Sequence, residues 1–167
     1  FVTSACIIDA LTNFNIPVSA YAGHSLGEIT AYYAAGVLDF ETALKIVVKR
    51  GELMGQAAKN SDGAMAAIIG MDQETIASTL STIDGVEIAN YNSPVQSVIS
   101  GESSALDTAC NALSNAGAKR VIKLPVSGAF HSELMIESSN LFKKKISDIV
   151  FNDVETDVIS NHMLINY

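Results

Sequence analysis

The sequence predicts an α/β fold, and three observations carry that expectation. An apolar run at 18–22 (VSAYA) leads through a Gly-x-Ser-x-Gly turn, GHSLGE (23–28), into a segment with helical patterning. Between residues 64 and 126 the strand and helix patterns alternate in the order β-α-β-β-α-β. Hydrophobic residues make up 49% of the 167-residue chain against 17% charged, enough apolar surface for a buried core.

Taken in order, residues 1–15 read as an amphipathic helix, which Pro17 interrupts before the strand at 18–22. The glycine turn then opens a helix at 26–35, and Gly36 is placed to end it. Asp39 can cap a helix over 40–58, which stops at the NSDG turn (60–63). Strand 64–71, helix 73–82, strands 86–91 and 96–101 joined by NSPV, helix 104–116 ending at Gly117, and strand 119–126 follow. That order is the split βαβ, or ferredoxin-like, unit. Helix returns at 132–147, and 155–160 reads as a last strand. The chain does not open on Met and carries no signal-peptide pattern, so it is expected to be a piece of a longer chain.

The net charge of −8 argues against a general nucleic-acid binder, and no apolar run has the length of a membrane span. The basic groups Lys45/Lys49/Arg50, Lys119/Arg120/Lys123 and Lys143/Lys144/Lys145 read as solvated faces or as docking ground for an acidic partner. Cys6 and Cys110 form neither a CxxC pair nor a zinc spacing and are expected to be buried, reduced thiols. His24, His131 and His162 have no ligand spacing, so no metal site is expected.

A strand leading in and a helix leading out make Ser25 a candidate nucleophile on a strained elbow, against the plainer alternative of a loop serine. Gly23 and Gly27 would keep strand and helix from clashing, and the Leu26 N–H at the helix start could donate to an oxyanion. A serine hydroxyl needs a general base. His24 adjoins Ser25 and should point away, packing or hydrogen-bonding beneath the turn, and His162 has no motif around it. His131, in PVSGAFHSELM, lies where a strand passes into a helix and is the favoured base, with a capping histidine as the alternative. In the 40–58 helix, Arg50 falls on the stripe of Ala43, Val47 and Met54. A guanidinium turned toward a core calls for an anion: an Asp or Glu of this chain, or the carboxylate of a substrate, unless its stem merely snorkels.

Four blocks, AGHSLGEITAYYAAGVLDFETALKIVVKRGELM (22–54), GAMAAIIGM (63–71), NYNSPVQSVISG (90–101) and KRVIKLPVSGAFHSELM (119–135), resemble the malonyl-CoA:acyl carrier protein transacylases and are similar to polyketide synthase acyltransferase domains. The resemblance implies an α/β-hydrolase-like core over 1–60 and 127–167 carrying an inserted ferredoxin-like subdomain over 61–126. It implies Ser25 as the acyl-carrying nucleophile, His131 as general base, Arg50 as the ligand of the malonyl carboxylate and Leu26 as an oxyanion donor. Asn92 is implied to lie near the site, and Phe130, in GAFH, to accompany malonyl rather than branched extenders. Malonyl-CoA and an acyl carrier protein would be the partners of a cytoplasmic monomer that binds neither nucleic acid nor membrane and uses no cofactor. The family's Gly-Gln-Gly segment, which supplies a second oxyanion donor, and a late backbone carbonyl that orients the histidine fall outside this sequence.

Two other readings share some of these residues. A serine hydrolase has the same elbow, but the acids between Ser25 and His131 stand in no recognisable motif and a hydrolase has no use for Arg50. The second is not an enzyme at all: a carrier-protein docking module, or a truncated, non-functional product.

Overall fold

In the computed structural model, residues 1–126 and 128–161 are described. The elements run α1 (Val2–Thr12), β1 (Ala20–Ala22), α2 (Leu26–Ala34), α3 (Phe40–Asn60), β2 (Gly63–Ile69), α4 (Gln73–Leu80), β3 (Val86–Ser93), β4 (Gln96–Glu102), α5 (Ser103–Asn115) and β5 (Arg120–Lys123). A 3-10 turn (Glu133–Met135), α6 (Ile136–Lys145) and β6 (Asp157–Ile159) complete the order. The fold is mixed α/β. The chain divides into two units, Phe1–Gly51 with the chain from Lys143 onward, and Glu52–Phe142.

In the first unit β1 and β6 form a parallel pair, with Tyr21 opposite Val158 and Ala22 opposite Ile159. Val158 is buried. Helix α2 follows β1 directly and ends where Gly36, at φ +74°, turns the chain in the left-handed region that glycine tolerates. Asp39 then accepts the Thr42 N–H at 2.7 Å and starts α3. The rings of Phe1, Tyr33 and Phe40 pack together at centroid distances of 5.5–6.0 Å, tying the starts of α1 and α3 to the end of α2.

The second unit holds an antiparallel sheet in the order β3-β4-β2-β5, built from the chain order β2-α4-β3-β4-α5-β5. Ala66 pairs with Ile99 on β4 and with Lys123 on β5, so β2 and β4 occupy the centre. One face of the sheet and the apolar faces of α4 and α5 share a core of Ile68, Ile76, Ile99, Leu106 and Leu113, all fully buried. Each such side chain contributes about 1.5–3 kcal/mol by leaving water. Asp72 caps α4 by accepting the Thr75 N–H at 2.8 Å.

Several expectations need correction. Cys6 is exposed and only Cys110 is buried. In α1 it is Ala5 that packs, and Cys6 stands one residue, about 100° of helix, further round. The last strand of the βαββαβ run is Arg120–Lys123, shorter than 119–126, because Pro125 has no N–H to continue a ladder. The helix expected over 132–147 begins only at Ile136, after the 3-10 turn. Ahead of α6, Ser132 Oγ donates to the Ala129 carbonyl at 2.6 Å, the Glu133 N–H donates to Glu87 Oε1 at 2.7 Å, and the Met135 N–H closes the 3-10 turn on the Ser132 carbonyl at 2.9 Å.

Candidate active site

Ser25 is the residue between β1 and α2, and its backbone sits at φ 54°, ψ −107°. A non-glycine residue in such a region is strained by about 1–3 kcal/mol and persists only where its surroundings hold it. Serine at a helix start ordinarily caps the helix with its own oxygen. Ser25 occupies the N-cap position but makes no side-chain cap bond. Its hydroxyl instead accepts a hydrogen bond from Arg50 Nη2 at 2.8 Å.

The turn closes through the Gly27 N–H to the His24 carbonyl (2.9 Å) and the Glu28 N–H to the Ser25 carbonyl (3.2 Å). Among the described residues the Leu26 N–H meets no acceptor, so it is one of the donors that a helix start leaves open. The tightness of the elbow falls on one glycine. A Cβ added at Gly23 would lie 2.0 Å from the carbonyl carbon and oxygen of Gly27, whereas one added at Gly27 meets nothing within 4 Å. The expectation that both glycines prevent a clash therefore holds for Gly23 alone: the backbone of Gly27 is what the chain at 23 approaches, and its own Cβ direction faces open space. His24 is exposed, so of the two roles expected for it, packing or hydrogen-bonding beneath the turn, the packing is not met.

Arg50 extends from α3 on the side of the buried Ala43, Ile46 and Leu53, with Val47 and Met54 beside it partly buried. It is partly buried, and that burial pushes its pKa below the ordinary guanidinium value, with no acidic neighbour among the causes. The hydroxyl of Ser25 is a neutral acceptor, and among the described residues no ion pair is seen at Arg50.

Asn161 was not anticipated. Its side-chain Oδ1 accepts the Ser25 N–H at 2.6 Å, and its own N–H donates to Glu28 Oε1 at 3.2 Å. The one available signal was that Asn161 follows a strand, since the C-terminal ends of parallel strands are where functional groups gather.

His131, Phe130 and Asn92 belong to the second unit. His131 is exposed and sits at φ +60°, one of three non-glycine residues at positive φ among the described residues, with Asn15 and Ser25. The loop before it is close-packed: a Cβ on Gly63 would lie 2.7 Å from Ala129, and one on Gly128 2.6 Å from Ala58 and 3.2 Å from the Phe130 ring. Phe130 is partly buried. Asn92 is exposed, at a register shift between Tyr91 and Ser93 in the β3–β4 ladder. His162 and Ser127 lie outside the described residues. Among the described residues no group of three or more His, Cys, Asp or Glu could hold a metal, and no helix is long and apolar enough to cross a membrane.

The mixed α/β fold and the uncapped serine on its strained strand-to-helix turn define a class, that of proteins presenting a serine hydroxyl from an elbow. More particularly, the chain belongs to the acyl transferase domain family, which it matches over residues 7–164. It is similar to the malonyl CoA-acyl carrier protein transacylase of Bacillus subtilis (strain 168), with 41% identity over 163 residues, 95% of this chain and 51% of that protein. The crystal structure of an acyl carrier protein S-malonyltransferase from Vibrio cholerae O1 biovar eltor superimposes with a TM-score of 0.93 at 38% identity, over 97% of this chain and 54% of that one. A solved complex of a type II PKS acyl-carrier protein with its malonyl-transacylase matches with a TM-score of 0.92 at 35% identity, over 98% of this chain and 55% of that one. The chain thus spans about half the length of the relatives it matches.

Proposed function

We propose that this chain carries the nucleophile of a malonyltransferase, which moves a malonyl group from coenzyme A to the phosphopantetheine thiol of an acyl carrier protein in fatty-acid biosynthesis. In this reading His131 takes the Ser25 proton as Oγ attacks the thioester carbonyl. The Leu26 N–H donates to the resulting oxyanion. The carbon–sulfur bond breaks, coenzyme A leaves with the proton from His131, and a malonyl-serine ester remains. The carrier thiol then attacks that ester, gives its proton to His131, and Ser25 recovers its hydrogen from the histidine as the ester opens. Acyl exchange between a thioester and a hydroxyl is redox-neutral, and no cofactor enters the scheme.

On the same reading residues 1–60 and 127–167 form an α/β-hydrolase-like core, and 61–126 a ferredoxin-like subdomain. Phe130 favours the unbranched malonyl group and Asn92 lies toward the substrate. The enzyme acts as a cytoplasmic monomer on malonyl-CoA and a carrier protein.

The observation that carries the proposal is the Arg50–Ser25 contact: a half-buried guanidinium, with burial alone as the cause of its lowered pKa, stands 2.8 Å from the hydroxyl to be acylated. A malonyl group on that oxygen would bring its free carboxylate within reach of a donor fork that binds carboxylates in two parallel bonds. An acetyl group would not. The test is Arg50→Ala in the natural protein that carries this sequence, read by the intact mass of the Ser25 adduct. Malonyl loading should slow by about 30-fold, the equivalent of about 2 kcal/mol for a lost buried charge contact, with a smaller change for acetyl-CoA. Unchanged preference for malonyl over acetyl would refute the carboxylate role.

A further inference from the structure

We propose that Asn161 is a positioning residue for the nucleophile, its side-chain carbonyl holding the Ser25 N–H and thereby setting the direction in which the hydroxyl leaves the elbow. The inference rests on Ser25 being the acyl-carrying serine.

Three hydrogen bonds close a ring across the strained residue. The Ser25 N–H donates to Asn161 Oδ1 at 2.6 Å, the Asn161 N–H donates to Glu28 Oε1 at 3.2 Å, and the Glu28 N–H donates to the Ser25 carbonyl at 3.2 Å. The ring enters Ser25 at its nitrogen and leaves at its carbonyl, so it spans both backbone torsions, φ 54° and ψ −107°. Those torsions fix where Cβ, and hence Oγ, points. The Glu28–Ser25 bond acts on the carbonyl side of this residue, and Asn161 supplies an acceptor on the nitrogen side, where a helix start offers none of its own. Because the partner is an N–H, the amide of Asn161 must present its oxygen. The Tyr32 hydroxyl donates to the same Glu28 oxygen at 3.4 Å and steadies it.

The topology explains why a residue 136 positions away reaches the elbow. β1 and β6 run parallel with Ala22 opposite Ile159, so the segments leaving them emerge side by side, Ser25 three residues past one strand and Asn161 two past the other.

The experiment compares Asn161→Ala and Asn161→Asp with the parent in the natural protein that carries this sequence. In Asn161→Ala the rate constant of malonyl loading should fall by about 100-fold, the scale expected when a reacting atom is misplaced by about 1 Å. KM for malonyl-CoA should stay within about threefold, because Arg50 is untouched. Hydrogen exchange at the Ser25 amide should accelerate in Asn161→Ala and stay slow in Asn161→Asp, which keeps an acceptor oxygen. A folded Asn161→Ala protein that loads at the parent rate overturns the proposal. So does rapid exchange of the Ser25 amide in the parent, a result that can be read even if the alanine variant fails to fold. A parent that takes no malonyl group at all strikes the acyl-transfer reading instead, and amide exchange then still decides the Asn161 contact.

Discussion

Replacing Gly23 by alanine tests the elbow more directly than any change to its polar groups. The new methyl carbon would stand 2.0 Å from the carbonyl carbon and oxygen of Gly27 and 2.5 Å from the Glu28 nitrogen, where ordinary contacts begin at 3.4 Å. All three atoms are backbone, so no side chain can swing aside and the first turn of α2 must move by about 1 Å or more. The Arg50 Nη2 to Ser25 Oγ bond is 2.8 Å long, and a shift of that size carries it past the range in which a hydrogen bond holds. The expected cost is about 3 kcal/mol of stability, the upper end for overpacking against rigid neighbours. Loading of Ser25 should slow by about 100-fold. Gly27→Ala is the control: its added carbon meets nothing within 4 Å, and stability should stay within about 1 kcal/mol of the parent, the helix preference for alanine over glycine. Urea unfolding midpoints and the intact-mass loading rate read both variants. A Gly23→Ala protein with parental stability and loading rate would refute the close-approach reasoning.

Three further outcomes follow from the side-chain environments. The Tyr33 hydroxyl donates to Asp9, and that bond, with the nearby carboxylate charge and some burial, pushes the Tyr33 pKa up to about 12. Because the folded value is raised, its contribution to stability is complete below about pH 10 and is lost as pH rises through 12; an alkaline absorbance titration should show a late component that Asp9→Asn moves to lower pH. Asp72 is held below the ordinary carboxylate range by the Thr75 N–H and hydroxyl at the start of α4. Its folded value is depressed, so its contribution is present above about pH 4 and fades as pH falls below that; unfolding midpoints of Asp72→Asn should lose part of the acid-side slope. A disulfide reagent should find one fast thiol, the exposed Cys6, while Cys110, buried and with its pKa raised mainly by that burial, reacts slowly; two equally fast thiols would contradict the placement of α5 on the sheet.

How much of this was legible beforehand follows the range of the forces involved. The Asp39 and Asp72 caps, the Gly36 stop and the alternation of β2 through β5 are local: a capping oxygen acts within three residues, and a period of two or 3.6 shows in the run itself. The ends of elements were less legible where a neighbour intervened. The 3-10 turn after His131 closes through the Met135 N–H on the Ser132 carbonyl, and the Glu133 N–H finds its acceptor in Glu87 on β3; nothing in the SELM segment announces that partner.

By itself the sequence determined that this is an α/β chain with a serine at a strand-to-helix turn and an arginine on the apolar side of a helix, since backbone periodicity and chain sterics act between near neighbours. Only the tertiary structure decided what those groups meet. Arg50 donates to Ser25 across 25 residues, Asn161 grips the same serine across 136, and Gly23 rather than Gly27 carries the steric demand. Such partnerships depend on which faces are pressed together when apolar surface leaves water, and that choice is made by the packing of whole elements, not by the spacing of any one of them.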